Sequence, residues 1–195
     1  MSIVSISPPV GRRWVALAGV ALVIATTACT PDPVDPNPTI PPVNVDCSAR
    51  GSGVDLHGCD LSNENFTEQD LSNAKLGGAD LSNAKLSGAR LDGADFTNAN
   101  LYLADLSGAT ATAAKFDDAN LEYADLSSAT LSGASLKRAS LFQATALGTQ
   151  FPGANLTEAD LTGADTADAD FTGAVFASTI CPDSSVVSSP ATCPA

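Results

Sequence analysis

The chain has 195 residues, a formal charge of −13, 5% aromatics, five cysteines and one histidine. The acid excess leaves no basic patch for direct binding of nucleic acid. With His57 as the only histidine, multi-His metal sites and most His-dependent catalysis are excluded. Arg12 and Arg13 precede an uncharged run over 14–28, whose apolar part, Trp14 to Ala25, has 12 residues. About 20 are needed to span a bilayer, so residues 1–28 are predicted to be a signal peptide rather than a membrane helix.

That run ends in Thr26-Thr27-Ala28-Cys29, which resembles a bacterial lipobox with Thr26 in the place usually held by Leu. The resemblance implies that Cys29 receives diacylglycerol, becomes the N terminus and anchors the protein to the membrane. Simple cleavage after Ala28 would instead leave Cys29 as a free thiol and the protein secreted. The arginine pair admits export by the general or the twin-arginine route. Loss of 1–28 leaves seven Lys and Arg against 22 Asp and Glu, a mature charge of −15. From Pro31 to Asp46, six of 16 residues are Pro. Residues 29–46 are therefore expected to form an extended tether, reaching roughly 50 Å at about 3.1 Å per residue.

Beyond the tether a period of five takes over. Every fifth residue from Leu56 to Cys181 gives 26 positions, of which 22 are Leu or Phe; Ala111, Ala146, Thr166 and Cys181 are the exceptions. Two residues earlier in each unit, Ala fills 20 of the 21 positions from Ala74 to Ala174, Thr149 being the exception. An α-helix of 3.6 residues per turn would spread this repeat over all its faces, and a strand alternates with period two. Neither produces one buried stripe.

Units such as Ala79-Asp80-Leu81-Ser82-Asn83 and Ala159-Asp160-Leu161-Thr162-Gly163 resemble the A-(D/N)-L-X-X unit of the pentapeptide-repeat family, over about residues 54 to 183. The resemblance implies an all-β fold, a right-handed quadrilateral β-helix of about six and a half coils at roughly 4.8 Å per coil. It places the solenoid domain with its N-terminal cap at 47–183 and a C-terminal cap at 184–195. Four units make a coil, with the Leu or Phe and the small residue both pointing inward. Residues 20 apart then stack, as in Phe96 over Phe116 and Phe151 over Phe171, and each small exception shares its coil with a Phe: Ala111 with Phe96, Ala146 with Phe151, Thr166 with Phe171. Gly at the last position of many units, such as Gly78 and Gly133, suits turns of positive φ.

Four cysteines remain besides Cys29. Cys47 and Cys59 open the repeat, Cys181 and Cys193 close it, and each pair is 12 residues apart. In an exported protein, local pairing would tie a flanking segment over each open end of the rod; free buried thiols or a metal site are the alternatives, the latter without a close Cys-x-x-Cys or His partner. The outward columns alternate sign, as in Asp55, Lys75, Asp95 and Lys115, with Asp70 over Arg90 and Asp117 over Lys137 as further pairs. Asp60 over Asp80 and Asp105 over Asp125 are like-charged neighbours, expected to be solvated carboxylates.

Six of the seven Phe residues lie in inward columns. Phe142 does not, and the 20-residue coil places it with Tyr102, Leu103 and Tyr123 on one face, with Leu147 at the next corner. This exposed apolar cluster is the candidate partner-binding surface. No nucleophile–base motif, phosphate loop, metal site or cofactor site accompanies it, and His57 is expected to be an ordinary solvent-facing residue. The expected function is that of a non-catalytic, envelope-anchored structural or protein-interaction module for an envelope or extracellular protein. The alternative comes from the resemblance: some family members imitate duplex DNA with an acidic rod and bind type II topoisomerases. Export opposes that alternative.

Overall fold

The computed structural model describes residues 15–17, 20–22, 45–188 and 193. The chain divides into two compact units, Met1–Val43 and Asn44–Ala195. In the first, β1 (Val15–Leu17) pairs antiparallel with β2 (Val20–Leu22). Cys29 and nearly all of the Pro-rich segment lie outside the described residues. Among the described residues, no helix is long and apolar enough to cross a membrane.

The second unit is a four-sided coil. Parallel bridges join residues 20 apart without interruption, from Asp55↔Lys75 to Asp160↔Ile180. Each unit of five turns one corner. The residue three beyond each central Leu or Phe donates its N–H back to that residue's carbonyl, as from Ala79 to Leu76 at 3.0 Å. The residue between them, last in its unit, is left-handed at all 25 corners from Gly58 to Ser178, ten of them Gly and 15 not, as a type II turn requires.

The hydrogen bonding explains why the unit has the composition it does. A buried or half-buried N–H must find an acceptor, and each unit presents five. In the unit Ala79–Asn83, Ala79 N–H closes a turn, Asp80 N–H reaches down to Cys59, and Leu81 and Asn83 N–H reach up to Asn100 and Tyr102, at 2.7–3.0 Å. The fifth, Ser82 N–H, is taken by Asp80 Oδ1 at 3.0 Å. Asn65, Asp105, Asn120, Asp160 and Asp170 serve the residue two ahead in the same way. The Asp/Asn position therefore caps its own corner, and the carboxylates expected to be merely solvated have this role.

Where that position is neither Asp nor Asn, two other solutions occur at some corners, while the amides of Gly77, Ser87, Asp92, Asp117, Ser132, Phe142 and Leu147 have no protein acceptor among the described residues. At Thr110 and Ser135, the corner amides of Thr112 and Lys137 donate to Asp92 and Asp117 of the coil below, at 3.0 and 3.1 Å. After Gln150 and Ile180 the corner residue is Pro152 or Pro182, which has no N–H to satisfy.

The core is two interleaved sets of columns. From Leu56 to Leu161 every central Leu or Phe is buried, as is each Ala two residues before, from Ala74 to Ala164. Phe96 stacks on Phe116 at 4.8 Å and 3°, and Phe151 on Phe171 at 4.9 Å and 4°, separations that match one coil rise. Ala111 and Ala146 are fully enclosed. Thr149 keeps its hydroxyl satisfied by donating to the Leu126 carbonyl at 2.7 Å.

The last coil departs from the column scheme. Thr166, Ala169, Phe171 and Ala174 are only half-buried, so Thr166 is not an enclosed counterpart of Phe171. Among the described residues the final bridges are Asn155↔Val175 and Asp160↔Ile180, which continue two faces of the coil. There β3 (Ala177–Ile180) pairs antiparallel with β4 (Val186–Ser188), and Cys181–Cys193 fastens the end with Cα atoms 5.3 Å apart. At the other end Cys47–Cys59 spans 5.7 Å, and Arg50 lies 4.7 Å above the Phe66 ring while pairing with Glu64 at 2.9 Å.

Phe151 is fully enclosed beneath Phe171, so Phe151→Ala is expected to cost about 3–5 kcal/mol through the cavity it leaves. Chemical denaturation of the two proteins measures this; a loss under about 1 kcal/mol contradicts the layer assignment.

Candidate functional site

The corner after Leu101, Leu121 and Leu141 differs from the others in what it projects. Elsewhere corners carry mainly Gly, Ser, Thr, Asn or charged residues; here successive coils carry Tyr102-Leu103, Glu122-Tyr123 and Phe142-Gln143. Tyr102, Leu103 and Tyr123 are 37%, 47% and 44% exposed, and Phe142 is half-buried. Tyr123 lies between the other two rings, 5.7 Å from Tyr102 at 76° and 5.8 Å from Phe142 at 80°. The structure thus brings all four candidate residues together as a ladder of edge-to-face rings. Leu147, 41% exposed, stands at the next corner.

Two of these residues occupy the left-handed position. Leu103 has φ 57° and Tyr123 φ 59°, and they are the only large apolar side chains at that position among the described residues. A residue with a Cβ pays roughly 1–2 kcal/mol there, and Gly or Asn serves better. Folding alone would favour another Gly. At the top of the ladder Gly163 makes room for Gln143, whose Nε2 would collide with a Cβ at that position.

The charges around the rod are sorted. Asp55 pairs with Lys75 at 3.3 Å, Asp95 with Lys115 at 3.5 Å and Asp70 with Arg90 at 3.8 Å. The expected side-chain pair of Asp117 with Lys137 does not form. Asp117 is held by the Lys137 amide and the Ser135 hydroxyl, while the next residues, Asp118 and Arg138, make a two-pronged pair at 2.7 Å. The repeat period offers no means of choosing between adjacent corner residues.

His57 shares a hydrogen bond with Asp55, Nδ1 to Oδ1 at 2.6 Å, half-exposed in the first coil. An open groove of about 490 Å³ lies beside it where Gly77 and Gly78 leave a corner without side chains. Among the described residues no group of three or more His, Cys, Asp or Glu is placed to hold a metal ion.

The pentapeptide-repeats family model matches in eight copies over residues 52–88, 74–110, 89–127, 119–157 and 154–185, more than half of the chain. The chain belongs to the pentapeptide-repeat family. Its fold is accordingly the family's right-handed quadrilateral β-helix. Among solved structures, a trypsin-treated variant of QnrB1, a plasmid-mediated fluoroquinolone resistance protein, is 24% identical over 63% of this chain and 76% of that one, with a TM-score of 0.50. A pentapeptide-repeat protein of the Arabidopsis thaliana thylakoid lumen is 33% identical over 53% of this chain and 68% of its own, TM-score 0.34. One from Nostoc PCC 7120 is 36% identical over 45% and 69%, TM-score 0.42. No curated protein matches the chain.

The capping carboxylates of this pentapeptide-repeat rod make its stability depend on acid. His57, hydrogen-bonded to Asp55, holds that carboxyl down at about 2, against an ordinary 3.8. Hydrogen bonds from Ser62 and Thr172 lower Asp60 and Asp170, and the guanidinium of Arg138 lowers Asp118. A carboxyl whose pKa is lower folded than unfolded contributes fully above about pH 4 and loses that contribution as pH falls through its folded value. The melting temperature is therefore expected to be flat from about pH 7 to 5 and to fall between about pH 4 and 2. Combining Asp60→Asn with Asp170→Asn, which keeps both acceptors but removes both titrations, should make that fall shallower. An equally steep fall in the double variant contradicts the assignment.

Proposed function

We propose that this protein is a non-catalytic interaction rod of the bacterial envelope, anchored through lipid on Cys29, displayed on the Pro-rich tether and docked to an envelope or extracellular protein through Tyr102, Leu103, Tyr123 and Phe142. The observation that carries the docking surface is the aromatic ladder itself. It spans three coils, with Leu147 at the next corner and Val175 and Val186 as the other exposed large apolar side chains among the described residues, and it keeps two bulky side chains in a backbone conformation that favours Gly. Tyr-rich apolar clusters are the usual anchors of protein interfaces. Anchoring and export rest on the basic pair, the short apolar run and the lipobox-like Thr26-Thr27-Ala28-Cys29.

A second reading, an acidic rod binding a type II topoisomerase as a duplex mimic, draws on the mature charge of −15, from seven Lys and Arg against 22 Asp and Glu. It requires a cytoplasmic protein. Part of that charge has a local cause, since Asp80, Asp105 and Asp160 each accept a corner amide. Lys75, Lys115 and Arg90 also interrupt it at the strand positions.

Metabolic labelling with palmitate separates the two readings. Wild-type protein is expected to take up label and fractionate with membranes, and Cys29→Ala to lose both properties. An unlabelled, cytosolic, full-length wild type overturns the envelope reading. Replacing Tyr102, Tyr123 and Phe142 together by Ser should leave the melting temperature within a few degrees and abolish crosslinking to the envelope partner; undiminished crosslinking removes the ladder from the site.

A further inference from the structure

The aromatic ladder is bordered by carboxylates. Each coil passes from one strand column through the ladder corner into the next column. The first column runs Asp80, Asn100, Asn120, Ser140 and the second Lys85, Asp105, Asp125, Thr145. Over the coils that hold the rings, the borders therefore carry Asp105, Asp125 and, within the corner itself, Glu122, and no cation. Lys85 stands one coil below.

Elsewhere the carboxylates of Asp55, Asp70, Asp95 and Asp118 are each matched by a Lys or Arg one coil above. Asp105, Glu122 and Asp125, like Asp60, Asp80, Asp160 and Asp170, have no such ion pair among the described residues; what sets these three apart is their place beside exposed rings. Asp105 and Asp125 use Oδ1 to cap the amides of Ser107 and Ser127, and Glu122 uses Oε1 to accept from the Ser140 hydroxyl. Their other oxygens have no protein donor among the described residues.

We propose that the ladder is a receptor for a cationic polypeptide segment in which Lys or Arg alternates with apolar side chains. This rests on the reading of the ladder as the docking surface and names the chemistry of its partner. Apolar side chains of the segment cover Leu103 and Phe142. Its ammonium or guanidinium groups lie over the exposed faces of Tyr102 and Tyr123, where ring and cation attract, and reach the unmatched oxygens of Asp105, Glu122 and Asp125. An acidic or neutral segment would gain the apolar contact alone, so the carboxylates supply selectivity and faster association.

The probe is a peptide of about 12 residues alternating Arg and Leu, with a Glu/Leu peptide of equal length beside it, measured by fluorescence anisotropy against the full-length protein in detergent micelles. The Arg/Leu peptide should bind, weaken at least roughly tenfold between about 50 and 500 mM salt by screening, and exceed the Glu/Leu peptide by a similar factor. The variant combining Asp105→Asn, Glu122→Gln and Asp125→Asn keeps the amide-capping acceptors and should lose roughly tenfold or more in affinity with an unchanged melting temperature. Asp70→Asn with Asp92→Asn and Asp170→Asn removes three charges from other faces and should bind as wild type does.

Equal losses in the two charge variants would mean that overall acidity, not the ladder, attracts the peptide, and would overturn the proposal. So would a concentration-dependent dimer abolished by the Tyr102, Tyr123 and Phe142 Ser variant, which would assign the ladder to a second copy. If that Ser variant loses its envelope crosslink while neither peptide binds, the docking surface stands and the cationic partner falls; if the crosslink also survives, both fall.

Discussion

The structure depends on one recurrent problem: a five-residue corner presents five backbone amides and has geometric partners for only four. Coil-on-coil contacts and the turn itself take four of them. The fifth, at the first corner residue, would be left facing its own backbone. At most corners Asp or Asn two residues earlier resolves this within the unit, an Asp in the coil below resolves it at Thr112 and Lys137, Pro152 and Pro182 remove the donor, and corners such as Gly77 and Ser132 leave it without a protein acceptor among the described residues. Since the remedy recurs at a fixed offset, insertion of a single residue would separate amide from acceptor at its corner and turn the inward Leu and Ala outward. This is why the period runs through 26 positions without a break.

The same constraint changes the meaning of the acidic composition. A charge of −13 on an otherwise small-residue chain suggests a surface evolved for a basic partner. Yet Asp60, Asp80, Asp160 and Asp170 each occupy a position where a short side-chain acceptor is needed, and Asn65 or Asn120 fills the same role without charge. The carboxylates that stand apart do so only by lying beside exposed rings, since a second oxygen without a protein donor among the described residues is shared by Asp60, Asp80, Asp160 and Asp170. At Asp105, Glu122 and Asp125 the capping role or serine contact leaves one oxygen free beside exposed rings, whereas at Asp118 both oxygens are occupied by Arg138.

The columns of Leu, Phe and Ala were legible because burial in this fold is periodic in sequence and needs no long-range information. The grouping of Tyr102, Leu103, Tyr123 and Phe142 followed from the same arithmetic, since residues near 20 apart must share a face. What could not be read depends on choices the period leaves free. Asp118 and Arg138, rather than Asp117 and Lys137, form the pair because rotamers at adjacent corner positions decide it. The half-buried Thr166 and Phe171 reflect how far the chain climbs beyond each face, which depends on the path of β3 and β4 rather than on the repeat. The left-handed residue at every corner was hinted at by Gly, but 15 of the 25 are not Gly, because the turn dictates φ whatever the side chain.

That last point bears on how a solenoid of this kind acquires a site. Its inward positions are committed to packing, and its strand positions largely to capping or to ladders of charge. Only the two corner residues of each unit are free to vary, and one of them carries a conformational cost for any side chain with a Cβ. A surface feature must therefore be assembled from corner residues stacked at one coil spacing, which is why Tyr123 meets Tyr102 and Phe142 at 5.7 and 5.8 Å rather than side by side along the chain. A ligand that reads such a feature must run along the rod axis, crossing coils, and present its side chains at about the same spacing. Alternation of Arg and Leu in an extended chain would separate the two residue types, with Leu toward Leu103 and Phe142 and Arg toward the tyrosine rings and the carboxylates beside them.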